Sequence, residues 1–197
     1  MSSTVSYVKA GRVRQKRRTL EAMVIAARQL MTEGVTPTVE LAAARAGISR
    51  ATAYRYFANQ RELLVATYPI TERLSLLPAD ATQDVTERVT TVARTILQSV
   101  VENETALRAQ LRLSLEDTNR LETPLRKGRR LRWFEDALAP LKKEMAPASF
   151  RRLSLALAAL VSLEVLIWLV DLGGLTRKEA VEQIVWTANQ VLRSGLE

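Results

Sequence analysis

The segment TPTVELAAARAGISRATAYRYFANQRELL, residues 36–64, decides the fold that we expect of this 197-residue chain. It contains two short helices joined by a tight turn. Thr38 precedes the first, alanine-rich helix as an N-cap, and Gly47 supplies the positive φ angle that the turn requires. Ser49 caps the second helix, which extends to about Tyr56. This arrangement predicts a helix-turn-helix.

The second helix carries side chains that suit the major groove of duplex DNA. It is expected to expose Arg50, Thr52 and Arg55, with the small residues Ala51 and Ala53 between them. Arginine can donate two hydrogen bonds to guanine, threonine can bond a base or touch a thymine methyl, and alanine leaves room for the groove edge. We therefore expect this helix to read bases.

Three aromatic residues at the end of this helix divide between core and surface. Tyr54 and Tyr56 lie two positions apart on one helix, so that they cannot easily both face inward. Their hydroxyls are expected to meet flanking phosphates, which set the register without reading sequence. Phe57 is expected in the core. The alternative, an ordinary helical hairpin with its rings packed inside, does not explain the charge of the segment.

The positive charge of the chain is concentrated near its N-terminus. The net charge of +8 arises within residues 1–61, which hold 11 Lys and Arg but 3 Asp and Glu, and residues 62–197 are neutral overall. A polyanion bound there would release condensed counterions, so that binding would depend strongly on salt. Residues 1–15 are expected to form a flexible basic arm that either enters a minor groove or attracts phosphate nonspecifically. Within the basic run from Lys9 to Arg18, Arg17 or Arg18 is expected to be the ordered contributor.

The residue types that the chain lacks exclude most catalytic sites. It contains neither cysteine nor histidine, which excludes disulfides, thiolate or imidazole metal sites, and nucleophiles or triads built on these residues. There is no glycine-rich phosphate loop, and we expect no enzyme, cofactor or metal. The N-terminus, MSSTVSYVKAGRVRQKRRTLEA, is polar and basic and does not read as a secretory signal, so a cytoplasmic location is expected.

These residues resemble the TetR-type transcriptional regulators. The resemblance lies within residues 16–65 and rests on Thr38-Val39, Ala46-Gly47-Ile48-Ser49, Thr52-Ala53-Tyr54-Arg55-Tyr56-Phe57 and Leu63-Leu64. It implies an N-terminal three-helix DNA-binding domain and a C-terminal helical regulatory domain that dimerises and often binds a small molecule. It also implies that residues 49–56 form the recognition helix, with both tyrosines touching phosphate.

The sequence departs from the family pattern at two positions. Gln60 stands where the family usually has a phosphate-contacting lysine, with Arg61 beside it as a possible substitute. Ala42 stands where a larger branched residue is common, which affects the packing between the first two helices.

Helical periodicity continues through the rest of the chain and predicts an all-α protein of about nine helices. An arm at 1–15, a helix-turn-helix domain at 16–65 and a helical ligand-binding and dimerisation domain at 66–197 are expected. The later helices are expected at residues 80–103, 104–118, 125–145, 149–172 and 177–193.

Capping residues and prolines refine these boundaries. Asn59 with Glu62 and Thr176 with Glu179 each have the spacing of a reciprocal capping box. Pro69 and Pro140 are expected to kink or split the helices that contain them, and Gly195 is expected to end the last helix.

The last two helices, residues 149–172 and 177–193, are expected to form a homodimer interface. The stretch 153–172 is apolar nearly all round, which favours burial by its own subunit and by a partner. Glu164 near its centre disfavours a membrane span, because an acid at the bilayer midplane costs about 2.5–3.5 kcal/mol.

A small-molecule site in the helical domain has two candidate walls. Glu164 and Trp168 could meet a cationic ligand by charge and cation–π attraction. The alternative is that Glu164 pairs with an arginine, such as Arg152 or Arg112, while Trp168 fills the core. The second candidate wall is an apolar stripe of the kind that usually forms core, comprising Leu111, Leu115, Trp133, Phe134 and Leu138.

Together these features predict a homodimer that binds a pseudo-palindromic DNA operator and represses transcription until a small effector releases it. Activation stays open, and the alternative from another class is a helical protein-interaction adaptor that does not bind DNA. The expected DNA contacts are Arg17, Arg18, Thr38, Ser49, Arg50, Ala51, Thr52, Tyr54, Arg55, Tyr56 and Arg61.

Overall fold

The computed structural model describes residues 3–67, 73–116 and 129–196, and every regular element in these ranges is helical. The expected all-α class is therefore confirmed. The ten α-helices described are α1 (Ser3–Thr32), α2 (Val39–Arg45), α3 (Arg50–Tyr54), α4 (Gln60–Ala66), α5 (Val85–Glu102), α6 (Glu104–Glu116), α7 (Arg129–Ala137), α8 (Pro147–Leu160), α9 (Leu163–Ile167) and α10 (Arg177–Ser194). A 3₁₀-helix covers Ala139–Lys143 and a π-helical turn covers Trp168–Leu172.

The chain divides into two compact units. The N-terminal unit comprises Met1–Pro69 and Thr105–Leu125, and the C-terminal unit comprises Ile70–Glu104 and Arg126–Glu197. Most of α6 thus groups with the helix-turn-helix. The expected domain boundary near residue 65 does not assign α6 to that unit. The expected division into arm, DNA-binding domain and regulatory domain stays a prediction.

The first helix begins earlier than expected. The backbone is helical from Ser3, where a flexible arm over residues 1–15 was expected. The segment contains no proline to stop the helix, and α1 continues through its valines and through Gly11. The side chains described begin at Arg14, so Lys9 and Arg12 lie outside them.

One continuous core holds α1 to α4 together. Its α2 contribution is small, with Ala42 fully buried and Ala43 nearly so, which lets the backbones of α1 and α2 approach closely. Phe57 is 4% exposed, as expected for a core residue. The other buried members of this cluster are Met23, Val24, Ala26, Ala27, Leu30, Val39, Ala53 and Leu63.

Helix α6 adds a second contact to the N-terminal unit. Met31 and Leu64 form a buried cluster with Ala106 and Ala109 of α6. The buried side-chain amide of Gln110 donates a hydrogen bond to the Leu64 carbonyl at 2.6 Å. The same carbonyl also accepts the Thr67 amide at 3.2 Å and the Thr67 hydroxyl at 2.6 Å, so one acceptor joins the end of α4 to α6.

In the C-terminal unit, α5 packs against α7 and α10, and α8 packs against the same two helices. Arg88 of α5 is buried, and its guanidinium donates to the carbonyls of Thr82, Asp136 and Ala137 at 3.1, 2.8 and 3.0 Å. Two of these acceptors lie at the C-terminal end of α7, where a cation is favoured. Arg88 therefore joins α5, α7 and the loop before α5.

Two of the long helices expected in this unit are interrupted. The helix expected at 125–145 ends as α7 at Ala137, and the 3₁₀-helix that follows carries Pro140 in its first turn, which confirms the expected break. The helix expected at 149–172 is wrong as a single element, because it breaks after Leu160 and restarts at Leu163 with Ser162 as a new N-cap. A serine in extended conformation accepts the free N–H of Val165 and so starts a new helix.

Other boundaries differ by smaller amounts. Helix α5 begins at Val85 with Asp84 as its cap, five residues later than expected. The capping box at Thr176 and Glu179 and the end of α10 at Gly195 are confirmed. Pro69, the end of the helix expected at 104–118 and the start of that expected at 125–145 lie outside the described residues.

A helix that spans a lipid bilayer must be both long and apolar. Taken singly, none of the described helices combines the length and the hydropathy of a membrane span. Residues Pro147–Leu160 and Leu163–Leu172 meet these criteria only as a pair, and they are bent by 43° at the break between them.

Candidate nucleic-acid interface

Local hydrogen bonds build the turn between α2 and α3. The hydroxyl of Thr38 accepts the Leu41 amide at 3.2 Å, and that of Ser49 accepts the Thr52 amide at 3.3 Å. Gly47 has a φ angle of +66°, which a residue with a Cβ atom rarely adopts. Both expected N-caps and the expected turn glycine are thus confirmed.

Helix α3 presents a mixed surface of cations and small residues. Arg50, Ala51 and Arg55 are exposed, and the Arg50 side chain is 74% exposed. The expectation that Ala53 leaves room on this surface is wrong, because Ala53 is fully buried against α1 and α2. Its position on the inner side of the helix explains why a small residue is needed there.

The polar residues of α3 take different positions. Thr52 is half-buried, and its hydroxyl accepts a hydrogen bond from Ser49 at 2.9 Å. The helix ends at Tyr54 and not at Tyr56, and the half-buried ring of Tyr56 packs on the core of the unit. Tyr54 is 39% exposed. The two tyrosines therefore face different environments, as their spacing predicts.

Glu40 of α2 links two of the expected DNA-contacting residues. Its Oε1 atom accepts a hydrogen bond from the Tyr54 hydroxyl and lies 3.1 Å from Nη2 of Arg50. The Arg50 Cζ atom lies 5.7 Å from the centroid of the Tyr54 ring, within cation–π distance. Sequence reasoning did not select Glu40, although it is the single acid between residues 34 and 61.

The hydrogen bond between Tyr54 and Glu40 shifts the pKa values of both groups. The hydrogen bond from Tyr54 is the main reason that the pKa of Glu40 lies below its ordinary value, and Arg50 adds to the effect. The same bond raises the pKa of Tyr54, because donating to the Glu40 carboxylate stabilises the protonated hydroxyl. At neutral pH Glu40 is therefore an anion and Tyr54 a neutral donor.

The start of α4 flanks this surface. Asn59 accepts the Glu62 amide at 2.9 Å, which confirms the cap. The Glu62 carboxylate accepts the Ala58 amide at 3.0 Å, whereas a reciprocal capping box would have it accept the amide of Asn59. Gln60 donates to the Pro37 carbonyl at 2.9 Å, a contact that sequence reasoning missed. Arg61 is half-buried.

The basic residues of α1 between Arg14 and Arg18 are all exposed. Arg17 and Arg18 are both exposed, and Nε of Arg17 lies 3.2 Å from Oε1 of Glu21. Toward the other end of α1, Glu33 accepts two hydrogen bonds from Arg45 at 2.6 and 2.8 Å. This bidentate pair braces the ends of α1 and α2 against each other.

The apolar residues expected to form an effector wall are separated between the units. Trp133, Phe134 and Leu138 are at most 3% exposed and belong to the core of the C-terminal unit. Leu111 is half-buried and Leu115 is 64% exposed, and both belong to the N-terminal unit. The structure therefore does not gather these five residues within one unit.

The expected wall of Glu164 and Trp168 lies at the break after α8. Glu164 is 4.0 Å from Arg130, whose guanidinium donates to the Val161 carbonyl at 3.1 Å, so a cation from α7 lies where Arg152 or Arg112 was expected. Trp168 is 58% exposed. The alternative that Trp168 simply fills the core is therefore wrong within this chain.

Comparison with known proteins identifies the helix-turn-helix segment. Residues 24–67 match the family model described as "Bacterial regulatory proteins, tetR family". The match covers about the last third of α1 and all of α2, α3 and α4. No curated protein matches the chain.

Proposed function

We propose that this chain, a DNA-binding transcriptional regulator whose residues 24–67 form a TetR-family helix-turn-helix domain, is a repressor that a small-molecule effector releases from its operator. The family consists of regulators and not of enzymes, in agreement with the absence of cysteine and histidine. The match to this family favours the regulator over the protein-interaction adaptor.

The exposed surface of α3 is the observation that carries the proposed mode of DNA binding. Arg50 on α3 and Arg55 directly after it are exposed, and the helix is anchored at Ala53, which is fully buried in the core. A helix anchored on one side and cationic on the other can enter a major groove without repacking the unit. The remaining proposed contacts are Ala51, Thr52 and Tyr54 on the same helix, and Arg17, Arg18, Thr38, Ser49, Tyr56 and Arg61 outside it.

Large apolar side chains on the last helices support the proposed homodimer. Trp168 and Trp186 are each 58% exposed, Leu172 is 76% exposed and Leu155 is 45% exposed. Surface patches with several large rings and leucines mark sites of protein association. A two-fold dimer would place two recognition helices on a pseudo-palindromic operator and so multiply affinity.

The effector site is proposed on chemical grounds. Glu164 is an exposed carboxylate at the start of α9, and Trp168 follows it by one helical turn. A carboxylate and a ring so spaced suit a cationic ligand. An effector that favours the protein conformation with lower operator affinity would shift the population away from DNA. Because the proposed target is bacterial DNA, we also propose a cytoplasmic location.

Selection of sites from random duplexes tests the proposal. The protein is incubated with a random pool, bound duplexes are sequenced, and the selected site is titrated against a scrambled duplex at several salt concentrations. A two-fold symmetric consensus bound by two chains, with affinity falling as salt rises, is expected. Equal affinity for the selected and scrambled duplexes would contradict the proposed operator reading.

A further inference from the structure

We propose that Glu40, which lies in α2 and outside the recognition helix, increases the ratio of operator affinity to nonspecific DNA affinity. The inference deepens the proposed function, since it rests on Arg50 reading a base. Glu40 acts through Arg50 and Tyr54, and is therefore a positioning residue for the DNA interface.

The geometry holds the Arg50 side chain in one place before DNA arrives. Glu40 Oε1 lies 3.1 Å from Nη2, and the Tyr54 ring lies beneath the guanidinium at 5.7 Å. The Tyr54 hydroxyl donates to the same carboxylate oxygen, so that the ring cannot turn away without losing that bond. One carboxylate thus orders a long cationic side chain and the ring on which it rests.

Arg50 keeps free donors in this arrangement. A guanidinium has five N–H groups, and the ion pair with Glu40 uses one of its nitrogens. The side chain is 74% exposed, which leaves the other donors accessible to a guanine edge. Ordering Arg50 in advance reduces the conformational entropy that base recognition must otherwise remove.

The charge of Glu40 acts on all duplexes alike. It is an anion on a surface that approaches phosphates, and it partly neutralises Arg50, so it weakens binding to any sequence. Ordering of Arg50, in contrast, favours only the site that presents the correct base. Only the ordering of Arg50 therefore increases the ratio of specific to nonspecific affinity, whereas the charge of Glu40 lowers both affinities by a common factor.

The first experiment compares Glu40→Gln with the unmodified protein on the selected site and on a scrambled duplex of equal length. The variant keeps an acceptor for Tyr54 but removes the charge that holds Arg50. We expect tighter binding to the scrambled duplex and a ratio of affinities that falls about threefold to tenfold, the range associated with ordering one long side chain. An unchanged or larger ratio would overturn the proposal.

The matched control is Glu33→Gln. This change removes the same charge from the same unit, and Glu33 pairs with Arg45 and not with α3. We expect it to alter both affinities by one common factor and to leave their ratio unchanged. If it lowers the ratio as much as Glu40→Gln does, general electrostatics explains the effect and the role of Glu40 is refuted.

The second experiment repeats Glu40→Gln in an Arg50→Ala background. If Glu40 acts by ordering Arg50, its substitution no longer changes the ratio once Arg50 is absent, whereas a merely structural role would persist. Thermal unfolding of each variant reports structural damage separately. Failure of the unmodified protein to select any sequence would refute the proposed function itself, whereas selection with an unaltered ratio in Glu40→Gln would refute the role of Glu40 alone.

Discussion

Gln60, the first residue of α4, donates its side-chain amide to the carbonyl of Pro37 at 2.9 Å, just before the cap of α2. The contact ties the beginnings of α2 and α4 together in the N-terminal unit. The TetR-type pattern usually has a phosphate-contacting lysine at this position. In this chain the position therefore stabilises the domain through a neutral hydrogen bond.

Replacing Gln60 with Lys should exchange stability for DNA affinity. The lost hydrogen bond to Pro37 is expected to lower the free energy of unfolding by about 0.5–1.5 kcal/mol. The added cation should tighten binding to every duplex and steepen the dependence of log affinity on log salt by about 0.9 for each new phosphate contact. Chemical denaturation and gel-shift titrations at several salt concentrations measure the two effects.

Gln60→Met is the matched control, because it loses the hydrogen bond without adding charge. It should show a similar loss of stability and an unaltered salt dependence. If Gln60→Lys leaves the salt dependence unchanged as well, residue 60 does not approach a phosphate in the complex.

Arg50→Ala and Tyr56→Phe should separate base reading from phosphate contact. Arg50→Ala is expected to cost about 1–3 kcal/mol on the selected operator and to relax the preference at the base that it reads. Tyr56→Phe keeps the ring that packs on the core and removes only the hydroxyl, so it should weaken all duplexes alike. Equal losses for both variants on every sequence would show that these roles are wrongly assigned.

The helix-turn-helix was predictable because its signals are local. Thr38 and Ser49 each cap a helix by accepting an amide three residues ahead, and Gly47 turns the chain within the same segment. Glu40 and Gln60 were missed for the opposite reason. Their partners are 14 and 23 residues away, so the contacts exist only after the helices have packed.

The interrupted helix after Pro147 shows a second limit of reading sequence. The apolar run through Leu172 predicts one long helix, because neither proline nor glycine interrupts it after its first turn. The break depends on Ser162 capping α9 and on Arg130 donating to the Val161 carbonyl. Since Arg130 lies on another helix, a tertiary contact stabilises the break, and the local sequence pattern does not predict it.

Acid should destabilise the fold through its paired carboxylates. Hydrogen bonds to Glu33, Glu40, Glu179 and Glu182 lower their pKa values below the ordinary 4.5. A carboxylate with a depressed folded-state pKa contributes stability that is present above its unfolded-state pKa and is lost as pH falls through the folded-state pKa. With no histidine in the chain, the free energy of unfolding should be nearly constant from about pH 5.5 to 7 and fall below about pH 4.5.

Denaturation curves measured across this pH range test the prediction. Glu182→Gln removes a carboxylate that pairs with Arg94 at 2.7 Å, so the free energy of unfolding should fall less steeply below about pH 4.5. A stability maximum near pH 4, or an acid limb as steep in Glu182→Gln as in the unmodified protein, would contradict the assignment.

Trp186→Glu should dissociate the proposed homodimer. The ring is 58% exposed on α10, and a charge buried at a subunit interface without a partner is strongly unfavourable. Loss of a tryptophan anchor costs about 2 kcal/mol or more, so the dimer dissociation constant should rise at least roughly 30-fold. Sedimentation velocity over a range of protein concentrations measures it, and operator affinity should fall in parallel because one recognition helix reads few bases.

Leu74→Glu provides the matched control for this substitution. Leu74 is 80% exposed and precedes α5, outside the proposed interface, so the same change of apolar residue to glutamate should leave the dimer intact. If both variants sediment as the unmodified protein does, the exposed rings of the last helices do not hold two chains together. If both dissociate, added charge alone disrupts the assembly and α10 is not its specific site. Dissociation of Trp186→Glu alone, with its helical content retained, assigns the interface to the last two helices.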